Sequence, residues 1–206
     1  MFTNRTEAGE RLAAAVVEHG LEPDVVLAIP RGGLPLGRAV ADAVDAPLDV
    51  VVAKKIGAPG NPEYAIGAVT AGGREWLNDA VVRQLGIGRE RVQQMRDREA
   101  RSAREKEQRY RGDRTPVPVE GKTVAIVDDG VATGATMRAC VEGVRDRGAS
   151  RIVVAVPVGS PETIRELHGL VDEVVCLRSP PSFRAVGQFY RSFDQVTDEE
   201  AMRYLG

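Results

Sequence analysis

Two adjacent carboxylates followed by a loop of small residues form the part of the sequence best suited to chemistry. Asp128 and Asp129 come directly after the apolar run 124–127, and Gly, Ala and Thr dominate the segment 130–136. Small residues let backbone N–H groups approach an anion, and the start of a following helix adds free donors and a partial positive charge. Two carboxylates repel a polyphosphate unless they bind hydroxyls or act with a divalent cation. A ribose 5-phosphate satisfies both halves, because it carries a diol beside its phosphate.

The elements around these carboxylates are those of an α/β protein. The run 124–127 lacks polar alternation, which predicts a strand buried on both faces, and the segment 137–147 is predicted to be a helix. A strand, an acidic pair, a small loop and a helix, in this order, build a ligand site at the carboxyl end of a parallel sheet. The alternative is a buried strand with a polar turn and no ligand, which leaves two adjacent carboxylates without a partner.

A second turn of the same kind occurs earlier in the chain. The predicted strand 25–29 runs into Pro30-Arg31-Gly32-Gly33, and a predicted helix follows over 34–44. Paired glycines allow a ligand to approach the backbone closely, and an arginine provides several donors for phosphate oxygens. The alternative is a tight turn with a solvated arginine.

The stretch 124–136 resembles the phosphoribosyl-pyrophosphate (PRPP) motif of the type I phosphoribosyltransferases. The resemblance implies that the acidic pair holds the ribose hydroxyls and that the loop holds the 5-phosphate. Gly130 is a departure, because the family usually has an apolar residue there. The turn 30–33 corresponds to the family's pyrophosphate loop, which often contains a non-proline cis peptide, here Pro30–Arg31. The implied PRPP-binding residues are Pro30, Arg31, Gly32, Gly33, Asp128, Asp129, Gly130, Ala132, Thr133, Gly134, Ala135 and Thr136.

Two lysines and a glycine- and proline-rich segment follow the second predicted strand, 48–53. Lys54 and Lys55 are adjacent like charges that favour an anion, although a solvated pair is an equal alternative. The segment 57–64 is predicted to be a loop without regular structure. In the resembled family the flexible lid over the reacting centre occurs in this region, so we expect a lid over 54–65, with a short strand at 66–70.

The segment 77–113 is predicted to be an inserted helical region. Helices are expected over 77–85 and 89–111, and the second one carries many charges of both signs. Mixed signs with i,i+4 pairs are typical of a solvated helix. The alternative is a basic face that contacts RNA or a partner subunit. A linker is expected over 112–118.

Aromatic residues cluster near the end of a chain that has few of them. Phe183, Phe189, Tyr190 and Phe193 lie close together in the sequence. They form either a hydrophobic plug that fixes the C-terminal segment or a wall on which a flat nucleobase stacks. The segment resembles the tail of purine phosphoribosyltransferases, which implies that Phe183, Phe189 and Tyr190 are candidates for base stacking.

Composition limits the class of protein. The chain has 206 residues, a net charge of −2 and two cysteines far apart in sequence, so neither strong nucleic-acid binding nor a disulfide framework is indicated. The N-terminus has no apolar signal core and no run is long enough to span a bilayer, so a cytoplasmic protein is expected. We predict one α/β domain over 1–206. Its parallel twisted sheet is flanked by helices in a core of about 21–178, with a hood formed by 179–206 and an N-terminal helix over 2–20.

The resemblance implies a magnesium-dependent phosphoribosyltransferase of nucleotide metabolism that transfers the 5-phosphoribosyl group of PRPP to a nucleobase or related nitrogen acceptor. The catalytic candidates are Arg31, Lys54, Lys55, Asp128 and Asp129, and Mg²⁺ is held mainly through PRPP, with the two aspartates acting indirectly. Ala132 stands where 6-oxopurine enzymes have an aspartate, which disfavours that subclass. The alternatives are a PRPP-sensing regulatory or RNA-binding protein without turnover, and a small-molecule phosphatase or lyase. A monomer and a homodimer both stay open.

Overall fold

The computed structural model describes residues 1–206, apart from the side chain of Glu63. Its strands are β1 (Val25–Ala28), β2 (Leu48–Val50), β3 (Ala53–Ala58), β4 (Asn61–Thr70), β5 (Glu75–Leu77), β6 (Thr123–Val127), β7 (Arg151–Val158) and β8 (Glu173–Arg178). Its helices are α1 (Arg5–Glu18), α2 (Gly33–Val44), α3 (Asp79–Gln84), α4 (Arg89–Arg111), α5 (Ala135–Asp146), α6 (Pro161–His168) and α7 (Asp198–Arg203), with a 3₁₀ turn at Val186–Phe189.

A parallel five-stranded sheet forms the centre of the molecule. Its strand order is β2-β1-β6-β7-β8, and every neighbouring pair is parallel. The apolar run of β6 lies in the middle of this sheet and is buried on both faces, as its lack of polar alternation predicts. The expectation of a parallel α/β sheet is therefore confirmed.

Helices cover both faces of this sheet, and successive strand residues alternate between them. Val26 and Ala28 of β1 pack with α1 and α2, whereas Leu27 packs with α5 and α6 on the other side. The N-terminal helix, predicted over 2–20, spans only Arg5–Glu18. Asn4 caps α1 by accepting the N–H of Glu7, so Phe2 lies outside the helix and joins the C-terminal segment.

A second sheet, antiparallel and ordered β3-β4-β5, corrects two predictions. The second parallel strand ends at Val50 instead of Ala53, and the segment 57–64 forms a hairpin instead of an irregular loop. Burial of Ile56 and Ile66 against α4 outweighs the glycines and prolines of this segment. Its glycines let the strands approach closely, because a Cβ on Gly57 would lie 2.4 Å from the carbonyl oxygen of Pro62.

The long charged helix has the predicted bounds but is only partly solvated. One face of α4 is buried through apolar residues, including Met95, Ala103 and Tyr110. Its C-terminal end is fixed by the buried Asp49, whose Oδ2 accepts from Arg111 at 3.3 Å and from the N–H of Val117 at 3.0 Å. The inserted region therefore packs against both sheets. The helix expected over 77–85 is shorter, because Leu77 belongs to β5 and Asn78 caps α3.

The N-terminus pairs with the C-terminal segment 179–206, for which a hood is predicted. The Phe2 N–H donates to the Phe189 carbonyl at 2.7 Å, and the Arg191 N–H donates to the Phe2 carbonyl at 2.8 Å. In the part of the chain that the structure describes, no helix combines the length and the hydrophobicity that crossing a bilayer would require.

Candidate active site

The two turns singled out in the sequence lie side by side at one edge of the central sheet. The turn 30–33 follows β1, the acidic pair follows β6, and β1 and β6 are neighbours with Ala28 opposite Val127. The chain leaves β1 toward β2 on one side and leaves β6 toward β7 on the other. Ligands of open parallel sheets bind at such a reversal of strand order, outside the carboxyl ends of the strands.

Direct contact between the two turns explains the paired glycines. The Ile29 N–H donates to the Val127 carbonyl oxygen at 2.9 Å. A Cβ on Gly32 would lie 1.9 Å from Oδ2 of Asp129, and one on Gly33 would lie 2.6 Å from the Val127 carbonyl oxygen. A side chain at either position would therefore displace the acidic pair. The Pro30–Arg31 peptide bond in this turn is cis, as the resemblance predicts.

The two carboxyl groups of the acidic pair are buried, and the one arginine beside them, Arg5, only partly offsets the effect of burial on their pKa values. Burial raises the pKa of Asp128 well above its usual range, and the neighbouring charge of Asp129 raises it further. The pKa of Asp129 is also raised by burial, but Arg5 opposes this effect with its Nε 2.8 Å from Oδ2. The Asp129 N–H donates to Oδ1 of Asp128 at 2.8 Å. Buried carboxylates of this kind are well suited to accept hydrogen bonds from a diol.

The loop after the acidic pair presents free backbone donors. Gly134 adopts a left-handed conformation with φ 75° and α5 begins at Ala135. The Arg138 N–H donates to the Gly134 carbonyl at 2.8 Å, so the amides between these residues precede the helical hydrogen bonding and point outward. The loop is fixed from behind, because the Ala132 carbonyl accepts from Ser160 Oγ at 2.8 Å and from Thr163 Oγ1 at 2.6 Å. This geometry suits a phosphate group.

A cavity of about 490 Å³ joins these parts. Its lining includes the acidic pair and Thr136 from the sheet edge, together with both predicted lysines from β3. Lys54 is half-buried and Lys55 is exposed. The lining residues are Ile29, Pro30, Gly32, Ala53, Lys54, Lys55, Pro62, Glu99, Asp128, Asp129 and Thr136.

Arg31, the charged residue of the first turn, points toward the C-terminal helix. One of its guanidinium nitrogens lies 3.6 Å from Oδ1 of Asp198, the first residue of α7. The same carboxylate accepts from the hydroxyl of Tyr110 and from Arg109 of α4. Arg31 therefore belongs to a cluster where the first turn, α4 and α7 meet, and it is not among the residues that line the cavity.

The predicted base-stacking residues lie in the hood. Tyr190 is buried, its ring packs against Phe2 with centroids 5.4 Å apart, and its hydroxyl donates to the Asp129 carbonyl at 2.6 Å. Phe183 and Phe189 are half-buried, with ring centroids 5.1 Å apart. This packing agrees with the plug interpretation for Tyr190, which anchors the hood to the acidic turn. A base-stacking role for Phe183, Phe189 and Tyr190 stays a prediction.

Comparison with known proteins matches the chain to one family. The family model described as the phosphoribosyl transferase domain matches residues 3–193. The chain belongs to the phosphoribosyl transferase family. Two Mycobacterium tuberculosis relatives, from strains H37Rv and CDC 1551, are both named "Putative phosphoribosyl transferase" and are 40% identical over 205 residues. The alignment covers the whole of this chain but only 46% of those proteins, so the chain spans about half their length.

Solved structures agree with this fold. A Thermus thermophilus protein, TT1426, is 42% identical, with a TM-score of 0.84, 100% of this chain covered and 97% of that chain covered. A purine phosphoribosyltransferase from Pyrococcus horikoshii has a TM-score of 0.51 at 19% identity, covering 94% of this chain and 92% of its own, and shows a likeness of fold alone.

Three residues of the candidate site are not predicted by the sequence. Arg5 is 124 positions from Asp129, and no local pattern links the two. Glu99 and Lys106 of α4 reach the cavity and the first turn, respectively, whereas the mixed charges of their helix predict a solvated helix. The spacing of these two residues could have indicated their position. Glu99 and Lys106 lie four and three positions from the buried Ala103, and therefore on the same face of the helix.

Proposed function

We propose that this protein transfers the 5-phosphoribosyl group of PRPP to a nitrogen acceptor and releases pyrophosphate. The observation that supports this most strongly is the meeting of two anion-binding turns on either side of a buried acidic pair. The turn 30–33 and the loop 132–136 would hold the two phosphorylated ends of PRPP, and Asp128 and Asp129 would accept hydrogen bonds from the ribose hydroxyls between them.

Magnesium is a fitting partner for this site, because carboxylate and phosphate oxygens are the ligands that Mg²⁺ prefers. Among the described side chains, no group of three or more His, Cys, Asp or Glu residues is arranged to hold a metal ion. The ion would be held mainly by the oxygens of PRPP, with Asp128 and Asp129 contributing indirectly. When bound, Mg²⁺ would neutralise charge on the pyrophosphate.

The proposed reaction exchanges one bond for another at the anomeric carbon. The bond from this carbon to the pyrophosphate oxygen breaks, and its electron pair leaves with pyrophosphate. The lone pair of the acceptor nitrogen forms the new bond, and the nitrogen then loses its proton. Arg31, Lys54 and Lys55 would stabilise the leaving group, while the acidic pair orients the ribose. Fixed positioning and electrostatic stabilisation of this kind account for most of the acceleration in comparable transfers.

The site residues restrict the identity of the nitrogen acceptor less than they restrict the binding of PRPP. Ala132 has no polar side chain, and its carbonyl is already engaged by Ser160 and Thr163. An acceptor recognised through a carboxylate at this position, as in 6-oxopurine enzymes, is therefore disfavoured. The hairpin of β3 and β4 stands beside Asp128 and would act as the lid that keeps water away from the reacting carbon.

The test measures pyrophosphate release from magnesium PRPP against a panel of purine and pyrimidine bases, with a no-base control. Release that depends on one base supports transfer and identifies the acceptor. PRPP binding without base-dependent release would contradict transfer to these acceptors and favour a PRPP sensor. Replacing both Asp128 and Asp129 by Asn is expected to abolish PRPP binding, and unchanged affinity would refute both functions.

A further inference from the structure

The inserted helix α4 places a lysine against the first turn of the site. Nζ of Lys106 lies 3.0 Å from the carbonyl oxygen of Pro30, to which it donates a hydrogen bond. Ala103 and Tyr110, about one turn away on either side, are buried, so this face of the helix is fixed against the molecule. The lysine itself is half-buried. Its position is therefore set by the packing of α4.

Several charged groups surround the Lys106 ammonium. Burial lowers its pKa, and the positive charges of Lys54 on β3 and Arg31 in the first turn lower it further. Asp198 of α7 and Asp128 of the acidic pair oppose this effect. The ring of Tyr110 on its own helix has its centroid 5.7 Å from Nζ. The positive charges of Lys54 and Arg31 thus act on Lys106 and lower its pKa, and a multiply charged anion would relieve this repulsion.

The distribution of lysine in the chain supports a special role for this group. The sequence has only four lysines among 28 basic residues, and the others are arginine. Three of the four, Lys54, Lys55 and Lys106, lie at the cavity or at the turn that lines it. An ammonium is a compact charge with three donors, of which the Pro30 carbonyl takes one. Further donors are available for an oxyanion.

We infer that Lys106 is a pyrophosphate-binding residue that also positions the turn 30–33. Its bond to the Pro30 carbonyl holds the turn beside the acidic pair, and its remaining donors and charge contribute to the binding of the leaving pyrophosphate. The inserted helix α4 then contributes a binding residue to the site, in addition to packing against the hairpin of β3 and β4. This inference rests on the proposed function, because it concerns the leaving group of that reaction.

Calorimetric titration of the full chain with magnesium pyrophosphate, and separately with ribose 5-phosphate, tests the inference. Lys106→Gln is expected to weaken pyrophosphate binding by about tenfold, the effect of one charge-assisted hydrogen bond. Its affinity for ribose 5-phosphate should stay within about twofold of wild type, because the loop 132–136 is unchanged. Lys106→Arg should recover part of the lost affinity. Lys122→Gln, the same substitution next to the opposite end of β6, is the matched control and should bind both ligands like wild type.

The outcomes separate this inference from the proposed function. If wild type binds pyrophosphate and Lys106→Gln binds it equally well, Lys106 has no such role, although the proposed function stands. If Lys106→Gln loses both ligands together, or Lys106→Arg recovers nothing, the residue acts only in folding and the inference is wrong. If wild type binds neither pyrophosphate nor ribose 5-phosphate, the proposed function itself fails.

Discussion

The guanidinium of Arg5 holds the carboxylate of Asp129, with Nε 2.8 Å from Oδ2. Arg5 is itself held by the C-terminal segment, because it donates to the Asp194 carbonyl at 2.6 Å and lies 3.9 Å from the centroid of the Phe193 ring. The two ends of the chain therefore act together on one carboxylate of the acidic pair. This relationship connects the hood to the chemistry of the site.

Replacing Arg5 by Gln should shift the pH dependence of PRPP binding. Arg5 lowers the pKa of Asp129 against the opposing effect of burial, so its removal raises that pKa. In the proposed function this carboxylate accepts hydrogen bonds from the ribose diol. Because its charged form would then be populated only at higher pH, the affinity for PRPP at mildly acidic pH should fall by about tenfold. Titrations with PRPP across pH measure the shift. Arg11→Gln on the same helix is the control, and parallel profiles for the two variants would contradict the prediction.

Replacing Asp128 by Asn should stabilise the ligand-free protein while weakening PRPP binding. The raised pKa of Asp128 means that the folded protein retains a proton that the unfolded chain has lost. Stability conferred by this group therefore decreases as pH rises from the ordinary carboxyl range through the raised pKa. The neutral amide avoids that loss, so the melting temperature at neutral pH should increase by roughly 2–4 °C for each kcal/mol gained.

Thermal unfolding with and without magnesium PRPP checks this prediction. The advantage of Asp128→Asn should vanish on acidification below the ordinary carboxyl pKa, and PRPP should no longer raise its melting temperature. Asp113→Asn, in the exposed linker after α4, should behave like wild type. A lower melting temperature for the ligand-free Asp128→Asn variant at neutral pH would show that the buried charge is not a cost to folding.

Replacing Gly32 by Ala should disable the site by steric overlap. The added Cβ would lie 1.9 Å from Oδ2 of Asp129, so the first turn and the acidic pair must separate. We expect a loss of roughly 1–3 kcal/mol in the free energy of unfolding and at least tenfold weaker PRPP binding. Gly88→Ala is the control, because no atom beyond its own chain neighbours lies within 4 Å of its Cβ position. Denaturant titration and calorimetry measure both effects, and wild-type binding by Gly32→Ala would refute the geometry.

Replacing Asp198 by Asn should strengthen pyrophosphate binding. The Asp198 carboxylate lies 3.6 Å from a guanidinium nitrogen of Arg31 and competes with an incoming anion for that charge. The amide oxygen of Asn can still accept from Tyr110, so the packing of α7 should persist. The gain should be about two- to fivefold at low ionic strength and should shrink as salt is added, because this pair is partly exposed. Glu199→Gln is the control, and an equal gain there would indicate a general charge effect.

Local sequence was sufficient to predict the elements whose determining residues lie within a few positions of one another. The apolar run of β6, the small residues after it and the glycines of the turn 30–33 each specify their own backbone. The parallel sheet and the bounds of α4 followed from such patterns. The hairpin of β3 and β4 was missed, because its stability comes from burial of Ile56 and Ile66 against α4, a contact that no local propensity reports.

The two turns at the sheet edge, the acidic pair and the type of sheet that carries them could be predicted from the sequence alone, because residues adjacent in the chain supply both the backbone geometry and the chemical groups. Which distant residues complete the candidate site depends on the tertiary structure. Arg5 meets Asp129 and Lys106 meets Pro30 through contacts between residues 124 and 76 positions apart. Such pairings depend on how the hood and the inserted helix pack, and packing is settled by the buried surface of the whole fold rather than by any one segment.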